Sequence, residues 1–277
     1  MTDNSAVVIS IDQGYLEPAC TMLRSLAANT SLAGVDVRVL HDDLDDAAVA
    51  RLRDQRPDVL NVVPVMVPAP DIPVNEGSHI SSASYRRLVA ADECREFGRI
   101  AVLDVDLIVL GDIRELFEAD LRNAVIGAVQ DAFTPTVSSP YAFPEGPPDG
   151  AAGDLPYFNA GVMVVDTRRW MAADTTRRSV EFARHRSQTR IRDQESLNSV
   201  LIGRWTPVDP LWNCFPISEL ARHEYFQTML AANGVALDGL RELEAQAKIL
   251  HFVGRDKPWL DSYPDGRNRV LYRSYWQ

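Results

Sequence analysis

Residues 102–109 read VLDVDLIV, an apolar run that two aspartates interrupt. Desolvating a carboxylate without a partner is costly, so charged side chains rarely enter such a run unpaired. In an extended backbone the side chains of Asp104 and Asp106 lie on the same face, because the side-chain period of a strand is two residues. Two carboxylates that face one volume share a proton, meet a basic side chain or bind a divalent cation. We interpret the pair as a metal site, with a structural cap as the alternative.

The sequence around this stretch predicts alternating strands and helices. β-branched or alternating apolar runs predict strands over 7–11, 35–39, 60–63 and 99–103, and apolar residues at helical spacing predict helical segments over 16–27, 45–55 and 85–91. Further strands are predicted over 124–129 and 160–165, and a loop rich in Pro, Gly and Ser over 134–153 is either a lid or a surface loop. The alternation is typical of an α/β protein with a largely parallel sheet and helices on both faces.

Acidic side chains follow two of these strands. Asp12 comes after the first strand, and Asp104 and Asp106 come after the strand over 99–103. Ligands in open α/β sheets bind at the carboxyl ends of the strands. We therefore expect a binding site at this edge of the sheet.

The composition excludes several functions. The 277 residues carry a formal net charge of −11, which argues against a nucleic-acid partner because such proteins cluster lysine and arginine. Cys20, Cys94 and Cys214 are far apart and show no CxxC spacing, which indicates buried thiols rather than disulfides or a zinc site. The sequence has neither a basic, apolar leader nor a transmembrane segment, so we expect a cytoplasmic protein.

A phosphatase of the haloacid dehalogenase type is an alternative enzyme, because that class also carries DxD after a strand. Its motif lies near the start of the chain and is followed by small or hydroxyl residues. Here Leu107 and Ile108 follow the second aspartate and about a hundred residues precede it. The pattern therefore disfavours the phosphatase.

Six ordered motifs resemble those of glycosyltransferase family 8 over about residues 6 to 260. They are DQGY (12–15), HIS (79–81) with Tyr85 and Arg87-Leu88, DVD (104–106), YFNAGV (157–162), DQESLN (193–198), and HFVG (251–254) with KPW (257–259). The resemblance implies a single GT-A domain over 1–277 with a Rossmann-like, mostly parallel sheet. It divides into a nucleotide-binding half over about 1–103 and a half over about 104–277 for the metal, the donor sugar and the acceptor.

The resemblance also implies a metal-dependent hexosyltransferase that uses a nucleotide-sugar, most simply UDP-glucose or UDP-galactose, and a hydroxyl-bearing acceptor. Asp104, Asp106 and His251 are the implied ligands, and a shell of oxygens and an imidazole suits Mn²⁺, with Mg²⁺ possible. Gly254 would let the backbone approach a phosphate and Lys257 would add a charge for it. Taken alone, His251 reads as a buried core histidine and Lys257 as a solvated surface charge.

The remaining site residues are placed by the same resemblance. Asp12 and Tyr15 would hold the base and ribose; the alternative for Asp12 is a cap of the helix that begins near Leu16, and the two roles can coexist. Val105 lies in the donor-binding motif between the two aspartates. Residues around the donor sugar and the acceptor would be Arg87, Asp131, Asn159, Asp193 and Gln194, with Trp212, Asn213 and Phe215 lining the acceptor side or forming a packed aromatic cluster. Singly, Arg87 reads as a helix ion pair and Asp193 as an N-cap.

Family 8 enzymes retain the anomeric configuration of the sugar. A double displacement needs a nucleophile below the anomeric carbon, and the amide of Gln194 is a poor one. We therefore favour attack from the front face, with Gln194 stabilising the positive charge and the leaving phosphate oxygen accepting the proton. A binding protein without turnover is the non-enzymatic alternative. The segment 267–273 is basic and aromatic but short, which predicts at most weak membrane contact and favours a soluble acceptor.

Overall fold

The computed structural model describes residues 4–73, 82–186 and 192–276. A seven-stranded sheet with the order β3-β2-β1-β4-β7-β6-β8 forms its centre. Two short strands, β5 and β9, form a second sheet. The strands are β1 (Ser5–Ser10), β2 (Val35–His41), β3 (Leu60–Met66), β4 (Arg99–Leu103), β5 (Leu107–Val109), β6 (Ile126–Gln130), β7 (Phe158–Asp166), β8 (Trp205–Pro207) and β9 (Ile249–His251).

The central sheet is mostly parallel, as predicted. Strand β1 runs parallel to β2 and β4, β2 to β3, and β6 to β8, whereas β7 runs antiparallel to both β4 and β6. The start of β7 therefore lies at the same edge as the ends of β4 and β6. A register shift between Ala128 and Val129 interrupts the β6–β7 pairing just before Asp131, and such bulges often adjoin functional sites.

Helices cover the sheet, which confirms the predicted α/β class. The helices are α1 (Leu16–Asn29), α2 (Asp46–Arg53), α3 (Ala90–Glu93), α4 (Ile113–Phe117), α5 (Thr167–Ala172), α6 (Thr175–Arg184), α7 (Arg192–Leu201), α8 (Ile217–Leu220), α9 (Glu224–Ala232), α10 (Leu237–Ala245) and α11 (Arg267–Arg273), with 3-10 helices at Gln13–Tyr15, Ser82–Leu88 and Pro210–Asn213. None of the helices described is long and apolar enough to cross a bilayer.

The core lies on both faces of the sheet, because successive buried side chains of a strand point to opposite faces. Val7 and Ile9 of β1 belong to a cluster with residues of α1, α2 and α4. Ala6 and Val8 belong to a second cluster, with residues of α3, α5, α6 and α7. This two-sided burial explains why the first strand reads as a continuous apolar run.

The prediction of a helix over 85–91 is wrong in part. A 3-10 helix covers Ser82–Leu88 and only the short α3 follows it. The buried guanidinium of Arg86 donates to the carbonyl oxygens of Ile11 and Val67 and pairs with Asp42. Tertiary bonds of this kind override the local helical spacing.

The segment 134–153 is irregular, as predicted. It packs against the rest of the protein. Val137, Ala142 and Phe143 are buried in a small cluster with Tyr157. The Ser139 hydroxyl donates to the Asn233 side-chain oxygen at 2.7 Å, which ties the loop to the end of α9.

Candidate active site

The two sheets bring the acidic pair and His251 together. Asp104 and Asp106 lie between β4 and β5, and the antiparallel pairing of β5 with β9 sets Leu107 opposite His251. His251 Nε2 lies 3.2 Å from Asp106 Oδ1 and 3.5 Å from Asp104 Oδ2. One ligand atom from each of the three residues lies within 4.8 Å of the others.

A chain of hydrogen bonds orients the imidazole of His251. The Asp131 carboxylate only accepts hydrogen bonds, so the group of Asn159 that faces it is the NH₂, which donates to Asp131 Oδ2 at 2.9 Å. The side-chain oxygen of Asn159 therefore points away from Asp131 and is free to accept. Asn213 donates to that oxygen at 2.9 Å and offers its own oxygen to His251 Nδ1, also at 2.9 Å. His251 Nδ1 therefore carries a proton, and Nε2, which faces the two carboxylates, is the nitrogen that can ligate a cation.

Asn213 is thus a positioning residue for His251, a role that the sequence does not indicate. We expect Asn213→Leu, which leaves the Nδ1 proton without an acceptor, to weaken Mn²⁺ binding about 10- to 100-fold. Calorimetric titration with Mn²⁺ measures this change. Asn268→Leu is the matched control, since Asn268 is a buried amide that bonds Glu219 and Glu244 instead. Equal Mn²⁺ affinities for both variants would contradict the orienting role.

The Lys257 ammonium lies inside the site. Its Nζ is 2.5 Å from Asp106 Oδ2 and 2.7 Å from the carbonyl oxygen of Phe252, and the residue is only 8% exposed. The interpretation of Lys257 as a solvated surface charge is therefore wrong. Burial alone would raise the pKa of Asp106, but the charges of Lys257 and His251 outweigh burial and hold that pKa well below its usual range.

Arg87 joins the acidic pair to Asp193. The guanidinium pairs with Asp104 through Nη2 and with Asp193 Oδ2 through Nε at 2.8 Å, and Nη1 donates to the carbonyl oxygen of Ala160 at 2.7 Å. These partners come from distant parts of the chain, so the interpretation as a helix ion pair is wrong. Burial raises the pKa of Asp193 despite the charge of Arg87, and Asp193 Oδ1 is buried without a hydrogen-bond partner among the described residues.

Asp131 and Gln194 form the next group along the edge. Asp131 Oδ1 accepts from the backbone NH groups of Phe133 and Thr134, at 2.8 and 2.9 Å, and Oδ2 accepts from Asn159 and from Gln194 Nε2, the latter at 3.2 Å. Gln194 Oε1 accepts from the Ala160 NH at 3.0 Å. The orientation of the Gln194 amide is therefore determined at both ends.

Asp12 and Tyr15 lie after β1, on the other side of the acidic pair. Asp12 precedes the 3-10 helix Gln13–Tyr15 and makes no side-chain capping bond there, and Tyr15 rather than Asp12 is the N-cap of α1, which begins at Leu16, so the cap interpretation is wrong. The Tyr15 ring packs edge-on to Trp259 at 6.0 Å. Burial and the charges of Asp106, Asp12 and Asp104 raise the pKa of Tyr15 to about 12, so its hydroxyl is a hydrogen-bond donor.

The remaining predicted residues are Gly254, Val105, Trp212 and Phe215. Gly254 has φ +91°, a conformation that favours glycine, and it lies three residues after His251. The side chains of Val105, Trp212 and Phe215 are buried; Phe215 stacks on Phe133 at 5.4 Å and meets His251 edge-on at 5.8 Å, which favours the packed aromatic cluster. The motif over 79–81 lies outside the described residues.

Two solved glycosyltransferase structures share this fold. A structure of the galactosyltransferase LgtC in complex with donor and acceptor sugar analogues superposes with a TM-score of 0.73 at 22% identity and covers 98% of this chain and 94% of that one. Mouse xyloside xylosyltransferase 1 superposes with a TM-score of 0.63 at 17% identity, covering 95% of this chain and 100% of that one. The chain therefore has the GT-A fold of glycosyltransferases.

The family follows from the sequence comparison. The model of glycosyl transferase family 8 matches residues 6–262, and the chain belongs to this family. Glycosyltransferase GlyF of Streptococcus pneumoniae serotype 4 is 29% identical over 98% of this chain and 61% of its own length. General stress protein A of Bacillus subtilis is 28% identical over 66% of this chain and 61% of its own length. The chain thus spans about three fifths of these relatives, and the family membership leaves no support for the phosphatase alternative.

Proposed function

We propose that the protein is a metal-dependent, retaining hexosyltransferase that transfers a sugar from UDP-glucose or UDP-galactose to a hydroxyl group. The observation that carries this proposal is the convergence of Asp104, Asp106 and His251 beside the buried ammonium of Lys257. Such a site suits a diphosphate leaving group, because it combines cation ligands with a positive charge.

The donor set fits a divalent cation. Two carboxylate oxygens and an imidazole nitrogen with its lone pair directed at them repel one another unless a cation or a proton lies between them. Oxygen and imidazole ligands suit Mn²⁺ or Mg²⁺. When bound, the ion would neutralise the negative charge that develops on the diphosphate.

Lys257 would have two partners in turn. Without a nucleotide its ammonium pairs with Asp106. A donor diphosphate offers the same ammonium a new negative partner, which Gly254 lets approach the backbone closely. Binding of the cation and of the nucleotide would then support each other, because both replace the Lys257–Asp106 ion pair.

We expect Lys257→Met to separate these two effects. Without the competing ammonium, the variant should bind Mn²⁺ alone more tightly than the wild type, whereas its affinity for UDP in the presence of Mn²⁺ should fall about tenfold or more, since a charge-assisted contact is lost. Calorimetric titrations with Mn²⁺ and with UDP measure both constants.

The chain's only other lysine, Lys248, is the matched control for that variant. It pairs with Glu115 and Asp209, away from the site, so Lys248→Met should change neither affinity. If Lys257→Met weakened the binding of Mn²⁺ alone, the proposed exchange of partners would be wrong.

The donor sugar would lie against Asp193, Arg87 and Asn159. The unpartnered Asp193 Oδ1 suits a sugar hydroxyl, because a buried acceptor without a donor is costly. The nucleotide would occupy the side of Asp12, Tyr15 and Val105, which corresponds to the half of a single domain over about 1–103.

The hydrogen bonds of the sugar site favour front-face attack. Asp131 accepts four N–H groups, which occupy its lone pairs and make it a poor nucleophile, and an amide oxygen such as that of Gln194 is weaker still. Gln194 Oε1, which accepts from the Ala160 NH, carries partial negative charge that can stabilise positive charge at the anomeric carbon.

The first experiment is a donor screen. The protein would be incubated with UDP-glucose, UDP-galactose and GDP-mannose, with Mn²⁺ or with a chelator, and release of the nucleoside diphosphate would be measured. We expect metal-dependent release from one UDP-hexose. Mn²⁺-dependent binding of UDP without release from any donor, even with acceptors present, would favour the non-enzymatic alternative, and the absence of UDP binding would refute the proposed site.

A further inference from the structure

The site residues follow one another along the edge of the sheet. Asp12 follows β1, Asp104 follows β4 and Asp131 follows β6, and these strands lie in the order β1-β4-β7-β6. In the proposed function, which this inference deepens and on which it rests, the nucleotide, the diphosphate and the sugar occupy this edge in the same order. The acceptor must then approach from beyond the sugar, on the side where the chain leaves β6.

Aromatic rings extend from the sugar site in that direction. Phe133, two residues after Asp131, packs on Phe226 of α9 at 4.9 Å. A Cβ atom on Gly254 would lie 3.2 Å from Phe226 Cζ, so α9 adjoins the HFVG segment. The surface that continues outward from the site is therefore formed by α9 and by the loop over 134–153.

This surface ends in two half-exposed tyrosines. Tyr141 of the loop and Tyr225 of α9 are each 49% exposed, and their ring centroids lie 6.2 Å apart. Tyr225 also meets Phe226 at 5.4 Å, which connects the pair to the buried rings. Large aromatic side chains on two separate elements rarely stay exposed next to each other without a binding role.

The pair is held in place before any ligand binds. Ser139 Oγ donates to Asn233 Oδ1, and Asn233 Nδ2 donates to the carbonyl oxygen of Phe133 at 3.0 Å. These bonds connect the loop, the end of α9 and the segment after Asp131. A rigid aromatic surface of this kind binds with little loss of conformational entropy.

We infer that Tyr141 and Tyr225 form an acceptor subsite for a saccharide, so that the acceptor is a glycan of at least two sugar units. A pyranose presents an apolar face of C–H groups and a rim of hydroxyls. Tyrosine matches both, because it combines a flat apolar ring with a polar hydroxyl. The tyrosines lie on the surface beyond the buried rings, so they would contact a unit other than the one that accepts the transferred sugar.

The test compares oligosaccharides with monosaccharides. Maltotriose, cellotriose, lactose and N,N′-diacetylchitobiose would be titrated into the wild type loaded with Mn²⁺ and UDP, alongside glucose, galactose and N-acetylglucosamine, and binding followed by NMR. We expect at least one oligosaccharide to bind about tenfold or more tightly than its monosaccharide. The Tyr141→Ala/Tyr225→Ala variant should lose this difference, and the Tyr141→Phe/Tyr225→Phe variant should keep most of it.

Controls make each outcome decisive. Met171→Ala removes an exposed apolar side chain on α5 and should leave oligosaccharide binding unchanged. Equal binding by the wild type and the double alanine variant would overturn the inference, as would a panel in which no oligosaccharide exceeds its monosaccharide. Mn²⁺-dependent binding of UDP to the wild type is measured in the same samples, so that failure of the donor site is distinguished from failure of the tyrosine subsite.

Discussion

Asp106→Asn is expected to lower metal-dependent donor turnover at least about a thousandfold. The substitution removes one of the three proposed metal ligands, and with it the carboxylate that pairs with both Lys257 and His251. The neutral amide cannot balance the charge of a divalent cation, and it leaves the Lys257 ammonium without its acidic partner. Release of UDP from the preferred donor measures turnover, and calorimetric titration measures the binding of Mn²⁺.

The control for this variant is Asp58→Asn. Asp58 is an exposed aspartate that pairs with Arg56, and its loss should change neither turnover nor Mn²⁺ affinity. Thermal unfolding of both variants establishes that they are folded. If Asp106→Asn bound Mn²⁺ within threefold of the wild type, the assignment of Asp106 as a ligand would be wrong, whatever the effect on turnover.

The spacing of apolar residues predicted most strands of the central sheet but not which strands run antiparallel. The strand over 99–103 has the predicted bounds, and β1 and β2 differ only at their ends, because apolar alternation reports directly on burial. The antiparallel direction of β7 and the pairing of β5 with β9 were not predicted. Both depend on contacts between segments that are far apart in the sequence, and the spacing of apolar residues carries no information about them.

The same limit applies to the site. The position of Asp104 and Asp106 after a strand was readable from the sequence, whereas His251 entered only through the family resemblance. The connection from Asp131 through Asn159 and Asn213 to His251 could not be read, because each hydrogen bond joins separate elements. Likewise, only the fold determines that Lys257 is buried against Asp106.

Gly161 of β7 gives the sharpest test of how closely the site is packed. A Cβ atom there would overlap His251 Cε1 and lie 2.8 Å from His251 Nδ1 and 2.9 Å from Asp104 Oδ2. The Gly161 NH also donates to Asn159, and its carbonyl oxygen accepts from the Asp104 NH. We expect Gly161→Ala to weaken Mn²⁺ binding about 100-fold or more, because one methyl group displaces two of the proposed ligands and the bonds that orient them.

Gly127→Ala separates this effect from general overpacking. Gly127 lies on the neighbouring strand β6, and a Cβ atom there would lie 2.7 Å from Leu121 Cδ2 and 2.7 Å from Val208 Cγ1, away from the ligands. Overpacking should cost each variant about 1–3 kcal/mol of unfolding free energy, measured by denaturant titration. Only Gly161→Ala should lose the metal. Parallel losses of Mn²⁺ affinity in both variants would mean that the site responds to the stability of the whole sheet, whereas a loss confined to Gly161→Ala places the cation beside that glycine.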